Sequence, residues 1–400
     1  MNLAKSDISG WLVRRSPWPP WIGLLAVLGG LSGHVARATS DGGMDNAIVV
    51  RAARVWWAGG SPYDDPHFLY LPSAVLAAAP QTLLSPLASR VLVPLAVTAC
   101  LCAGWACALR LHGVPLRSRL AVLGLTGLAV GFAPFGHLVL LGNWTVTAAL
   151  ALPLVLLLVS RERWLLAGAV LGAALALKPL LAPVALLFVF ARRWRALGTV
   201  VGVLVVASGV SASFLPDPGG FFTRTLPFLL RGEDSFVRLY EASWGAVLPR
   251  LGVPVPVAQG VALVACAGGT GCAWLRWRRG DPGPLRLAET ASGLMLSAFL
   301  VSRPSYDHYL LVVLPVLLAG LPYAGSVARR PWFWVALVPQ VPGVAWPYLE
   351  VPQRRAFRDA VSLSLLAGAV ACRGVAGGVT AVSRVPVVGG LSRPRGGAAN

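Results

Sequence analysis

Apolar runs, each bounded by a small group of arginines or lysines, recur from residue 18 to residue 372 and leave few choices of fold. An α-helix of about 17 to 25 apolar residues crosses the roughly 30 Å hydrocarbon layer of a bilayer. Lipid offers no partner for a backbone N–H or C=O, so such runs cross as helices, which satisfy their own backbone. Only 12% of the 400 residues are charged and 56% are hydrophobic, whereas an average soluble domain carries about 25% charged residues. Too little charge is present to cover a water-soluble fold, and the sequence predicts an all-α, polytopic integral membrane protein.

The basic clusters orient the runs, because lysine and arginine collect in cytoplasmic loops. Arg14 and Arg15 place the N-terminus in the cytoplasm. The run at 18–39 lacks a convincing cleavage site and reads as an uncleaved first transmembrane helix. Further basic groups around Arg110, Arg161, Arg193, Arg278 and Arg330 then give about twelve spans with both termini inside. The expected helices lie at 18–39, 88–110, 120–136, 144–160, 164–177, 181–191, 197–214, 255–275, 285–302, 310–325, 332–347 and 358–372. On this map residues 1–372 form one transmembrane domain, with outer loops 40–87 and 215–254 making its active-site face. Residues 373–400, rich in Gly, Arg and Val, form a disordered cytoplasmic tail.

The net charge of +19 sits in those clusters rather than along one face, so it reports topology and excludes a nucleic-acid partner. Cys100, Cys102, Cys107, Cys266, Cys272 and Cys372 lie within or at the ends of apolar runs without metal-ligand spacing, and read as packing thiols. No set of carboxylates is spaced for a divalent ion, and neither a metal nor a cofactor is expected. Walker A, HExxH and GxSxG patterns are missing, which argues against a nucleotide-driven pump or a familiar hydrolase.

A map drawn from Lys and Arg alone puts most acidic residues outside, including Asp41, Asp45, Glu233, Asp234, Asp307 and Glu350. His137 and Asn143 fall in a short outer loop. The densest polar stretch is residues 41–72, where 47–57 reads as an amphipathic interfacial helix. Residues 68–85, interrupted by Pro72 and Pro80, read as an interfacial or re-entrant segment. Asp41 and Asp45 lie just past the first helix, where a general base can be held within reach of a hydroxyl; either also suits an N-cap. Tyr63 and Tyr70 suit stacking on a sugar ring or anchoring at the interface. Lys178, in an apolar hairpin, either snorkels to headgroups or holds an anion. Arg224 offers the donor fork that matches phosphate, or meets headgroups. His308, in YDHY, suits phosphate binding or proton transfer, or sits between anchoring tyrosines.

Five segments add a resemblance. GGSPYDDPHFLYLP (59–72), LGNWT (141–145), GAALALKPLLAP (172–183), RRWRAL (192–197) and DPGGFFTRTLP (217–227) are similar to segments of glycosyltransferase family 87, multi-pass enzymes of the GT-C fold. The similarity runs over about residues 35–325. It implies a polyprenyl-phosphate sugar as donor, a glycan or glycolipid acceptor, membrane lipids as surroundings and a plasma-membrane enzyme with its site on the outer face. It implies transfer, with inversion, of arabinofuranose from decaprenylphosphoryl arabinose to a cell-wall arabinan or lipoglycan, or of mannose from polyprenyl-phosphate mannose. On this resemblance Asp45 is the base, with Asp41 as fallback; Lys178, Arg224 and His308 hold the donor phosphate; Tyr63, His67, Tyr70 and Asn143 contact substrate. A lipid-linked sugar flippase is the alternative from another class, against which stand the one-sided placement of polar residues and the lack of an internal repeat.

Overall fold

A computed structural model describes residues 3–231, 239–344, 346 and 351–376. Glu233, Asp234, Glu350 and residues 377–400 lie outside the described residues. Among the described residues regular structure is helical, apart from one isolated antiparallel bridge between Arg15 and Ser118. The first half contains α1 (Leu3–Val13), α2 (Trp18–Ala38), α3 (Met44–Trp57), α4 (Pro72–Ala78), α5 (Pro86–Leu111), α6 (Arg119–Gly131), α7 (Ala133–Leu141), α8 (Thr145–Ser160) and α9 (Trp164–Leu177). The second contains α10 (Ala185–Phe190), α11 (Trp194–Ala212), α12 (Leu226–Arg231), α13 (Trp244–Arg250), α14 (Val255–Arg279), α15 (Pro284–Val301), α16 (Leu310–Leu318), α17 (Pro331–Leu337) and α18 (Pro352–Ala376).

Among the described residues four helices, α2, α5, α11 and α14, are long and apolar enough to cross a membrane, and α6 with α7 makes a fifth if that bent pair is one span. At 1.5 Å per residue a helix of 21 residues such as α2 rises about 31 Å, which matches the hydrocarbon thickness. These long helices leave bulky apolar side chains uncovered, among them Ile22, Leu25, Val205, Val206, Leu263 and Val264. That surface suits lipid. The shorter α8, α9 and α16 make the interior instead: every residue of α16 and most of α8 are buried, the all-round apolarity expected of an enclosed helix.

Several expected spans are broken. The run expected as one helix at 120–136 is two, bent by 73° at Phe132. Pro134 has no N–H to continue the ladder and its ring would meet the carbonyl one turn back, so the helix restarts in a new direction. His137, expected in an outer loop, therefore lies within α7. Pro179 and Pro183 convert the start of the expected 181–191 helix into a 3-10 turn, Pro179–Val184. The expected helices at 310–325 and 332–347 shorten to α16 and α17. Residues 373–376, expected to open the tail, are the last turn of α18.

Glycines let two helix pairs approach backbone to backbone, as small residues do in membrane bundles. A Cβ on Gly104 of α5 would stand 2.6 Å from the Ala149 carbonyl oxygen of α8, and Gly168 and Gly172 of α9 meet α11 in the same way. Gly29 of α2 has nothing within 4 Å. In detergent, Gly104→Val is expected to destabilise the protein by about 1–3 kcal/mol through overpacking. Gly29→Val is expected to stay within about 0.5 kcal/mol. Thermal melts followed by tryptophan fluorescence compare the two.

Candidate active site

Two glycine turns seated on each other build the site. Gly43, before α3, has φ 110, and Gly142, after α7, has φ 60, conformations that side chains rarely adopt. A Cβ on Gly43 would overlap the Leu141 carbonyl, and one on Gly142 would overlap the Gly42 carbonyl. The first turn of α3 is thereby held against residues 142–145. Asn143 Nδ2 donates to Asp45 Oδ2 at 2.5 Å, and Trp144 Nε1 donates to Asn46 Oδ1 at 3.1 Å. Two adjacent side chains of α3 are thus fixed by two adjacent side chains of the facing turn.

Asn143 passes the connection on. Its Oδ1 accepts from the Thr145 backbone N–H at 2.7 Å and from Lys178 Nζ at 3.1 Å, and Lys178 Nζ also donates to Thr145 Oγ1 at 2.9 Å. Lys178 ends α9 in an extended conformation, φ −148 and ψ 119, as residues before proline do. Its ammonium lies 5.6 Å from the Tyr70 ring centroid and 5.4 Å from that of Tyr309, within cation–π range. Burial pulls the Lys178 ammonium down to about 8, with the charge of Asp45 opposing that shift.

These groups border a cavity of about 750 Å³, a volume suited to a small-molecule ligand. Most of its wall is apolar, with Ile48, Leu140, Leu180 and Phe299 among the lining residues. A second polar group centres on Asp307, in the 3-10 turn Asp307–Tyr309 that leads into α16. An ionised carboxylate only accepts. Asp307 Oδ2 takes His137 Nδ1 at 2.6 Å and Arg355 Nη2 at 3.2 Å, and Oδ1 takes the His308 backbone N–H at 2.7 Å. Burial pushes this carboxyl up, but hydrogen bonds and charge from His137 and His308 outweigh it and hold it well below the usual carboxylate range. His308 is 2% exposed and stacks on Tyr306, with ring centroids 5.4 Å apart.

Of the residues expected from the sequence, Asp45, His67, Tyr70, Asn143, Lys178 and His308 line this cavity. Asp41 does not; it is exposed and accepts from the Ser40 hydroxyl at 3.0 Å. Tyr63 is buried outside the cavity wall, packed on Phe68 and Phe221, and burial raises its hydroxyl pKa. Arg224 also lies outside the wall, its guanidinium engaged by Asp64 and Asp217 at the surface. His137, Asp307 and Arg355 line the cavity without having been expected there. The signals for them are the carboxylate beside His308 and the outward placement of 137 and 355 on the charge map. Among the described residues no group of three or more His, Cys, Asp or Glu is placed to hold a metal ion.

The profile of glycosyltransferase family 87 matches residues 68–302. The α-(1→3)-arabinofuranosyltransferases of two strains of Mycobacterium tuberculosis are each 30% identical to this chain over 350 residues, which is 82% of this chain and 76% of theirs. No solved structure matches the chain. The profile covers Asn143 and Lys178, whereas Asp45 precedes it and Asp307, His308 and Arg355 follow it.

Lys178 carries a pH prediction. Its pKa is lowered, so its proton leaves as pH rises through about 8 and Asn143 loses its charged donor. Glycosyl transfer is expected to fall along a limb near pH 8. Lys178→Arg, protonated throughout, is expected to lack that limb even where its maximal rate is lower; pH–rate profiles from pH 6 to 10 of both proteins make the comparison.

Proposed function

We propose, for a chain that belongs to glycosyltransferase family 87 and is a glycosyltransferase, that its cavity binds a polyprenyl-phosphate sugar and transfers the sugar to a glycan or glycolipid hydroxyl by one inverting displacement. The single observation that carries this reading is Asp45, a carboxylate fixed by Asn143 at the wall of a cavity that also presents Lys178, His308 and Arg355. A base and an anion-binding set around one volume are what displacement of a phosphate leaving group requires.

In this reading Asn143 occupies Asp45 Oδ2 and turns the other oxygen toward the acceptor hydroxyl. That oxygen takes the hydroxyl proton as the acceptor oxygen bonds to the anomeric carbon. The bond from that carbon to the phosphate oxygen breaks, and its electron pair leaves with the polyprenyl phosphate. Attack from the face opposite the leaving group inverts the anomeric configuration. Lys178 has three N–H donors, of which Asn143 and Thr145 use two; the third serves a donor oxygen. Tyr70, His67 and Asn143 face the sugar from the lining, and His308 faces the phosphate. Asp41 is left as a surface residue. Arg224 braces the turn at Asp217 rather than serving the phosphate, and Tyr63 packs beneath the site.

The arabinofuranosyltransferase activity of the relatives favours arabinofuranose as the sugar, and in this reading decaprenylphosphoryl arabinose is the donor and a cell-wall arabinan the acceptor. A hydrophobic donor fits the largely apolar cavity wall, and the apolar helices fit a plasma-membrane protein of the GT-C type. About twelve spans within residues 1–372, counted with the short and broken helices, and a site on the outer face belong to the same reading.

In proteoliposomes given labelled decaprenylphosphoryl arabinose and a short arabinan, the unaltered protein is expected to transfer label and Asp45→Asn to lose about 100-fold or more of the rate. Asp41→Asn is expected to keep it. Full activity in Asp45→Asn would overturn the assignment of the base, and transfer from a mannose lipid alone would overturn the sugar.

A further inference from the structure

We infer that Asp307 is a positioning residue that gathers His137, His308 and Arg355 into one lobe of the cavity wall, and that this lobe takes the phosphate of the donor lipid. The inference rests on the reading of the donor as a polyprenyl phosphate and adds the device that builds its anion site.

Three separate elements supply the lobe. His137 comes from α7, Asp307 and His308 from the turn before α16, and Arg355 from α18. Asp307 is tied to all three: its Oδ2 lies 2.6 Å from His137 Nδ1 and 3.2 Å from Arg355 Nη2, and its Oδ1 binds the His308 backbone N–H at 2.7 Å. Donor groups crowded together need a shared acceptor, and a buried carboxylate between them supplies it. Asp307 is 7% exposed, so little water screens the pairing.

Two carboxylates border the lobe and both are engaged, Asp307 by the groups above and Asp359 by Gln340 and Arg358. His308, 2% exposed and bordering the cavity, has its Nδ1 3.3 Å from Asp307 Oδ1, while its Nε2 has no hydrogen-bond partner among the described residues. Buried polar atoms in native proteins are satisfied. An imidazole left unsatisfied beside a cavity is completed by a ligand oxygen. Arg355 adds a planar fork of donors whose Nη2 is shared between the carboxylate and the His137 ring, and such forks match phosphate oxygens. The residue therefore stands where Arg224 was expected to act, while Arg224 is spent on Asp64 and Asp217.

Equilibrium binding to the purified full-length protein in detergent tests this with three probes: decaprenyl phosphate, decaprenol and inorganic phosphate. The unaltered protein is expected to prefer decaprenyl phosphate to decaprenol at least about 10-fold and to bind inorganic phosphate far more weakly than the lipid phosphate. Asp307→Asn is expected to lose most of that preference with decaprenol binding unchanged, and Asp307→Glu to recover part of it. Because Asp307 acts through the groups it holds, the double variant D307N/H308Q is expected to lose less than the product of the single losses. Retention of the preference in Asp307→Asn, or losses that multiply, would overturn the positioning role. So would an equal loss of decaprenol binding, which marks a structural residue only. An unaltered protein that binds decaprenol as well as decaprenyl phosphate would instead overturn the donor reading on which the inference rests.

Discussion

The carboxamide of Asn143 joins Asp45 to Lys178, at 2.5 and 3.1 Å, and much of the surrounding architecture serves to make that junction possible. A lysine and an aspartate in so apolar a chain are each costly alone. Set on either side of one amide they offset each other's charge without a direct ion pair, and the carboxylate keeps an oxygen for chemistry. The interlocked turns at Gly43 and Gly142 bring the amide to the aspartate, and the end of α9 brings the lysine to the amide.

Four polar groups of the cavity stand at breaks in helices. Asp45 lies in the first turn of α3, Asn143 after the left-handed Gly142, Lys178 at the extended end of α9, and Asp307 at the 3-10 entry to α16. Irregular backbone is costly in lipid because its N–H and C=O groups need partners, and it survives where protein or a polar cavity supplies them. Here the Thr145 N–H is met by Asn143 and the His308 N–H by Asp307, so the side chains that form the site also satisfy the backbone that the site disrupts. Pro179 makes the break at Lys178, which ties the shape of the cavity there to a position that cannot continue the helix.

The limits of α2, α5, α8 and α9 are legible in the sequence to within two residues, because prolines and basic clusters punctuate apolar runs of the right length. Lys178 is legible too, as an isolated charge in an apolar hairpin, whereas only the family resemblance separates Asp45 from Asp41 in a polar stretch. The bend at Phe132 is not, since a single Pro134 inside an apolar run leaves its hydropathy unchanged. Asp307 and its partners are harder still: His137 and Arg355 stand 170 and 48 residues away, and no local pattern announces such contacts. Arg224 shows the converse failure. Its donor fork is evident in the sequence, but only the fold reveals that Asp64 and Asp217 already fill it.

One cavity, with the base held by Asn143 and the leaving phosphate held by the Asp307 lobe, is the central claim. An experimental density map of the protein bound to decaprenyl phosphate tests it most directly. The phosphate is predicted to lie within hydrogen-bond reach of His308 and Arg355, with Asp45 still joined to Asn143. A phosphate found at Arg224, or one that displaces Asn143 from Asp45, would contradict it.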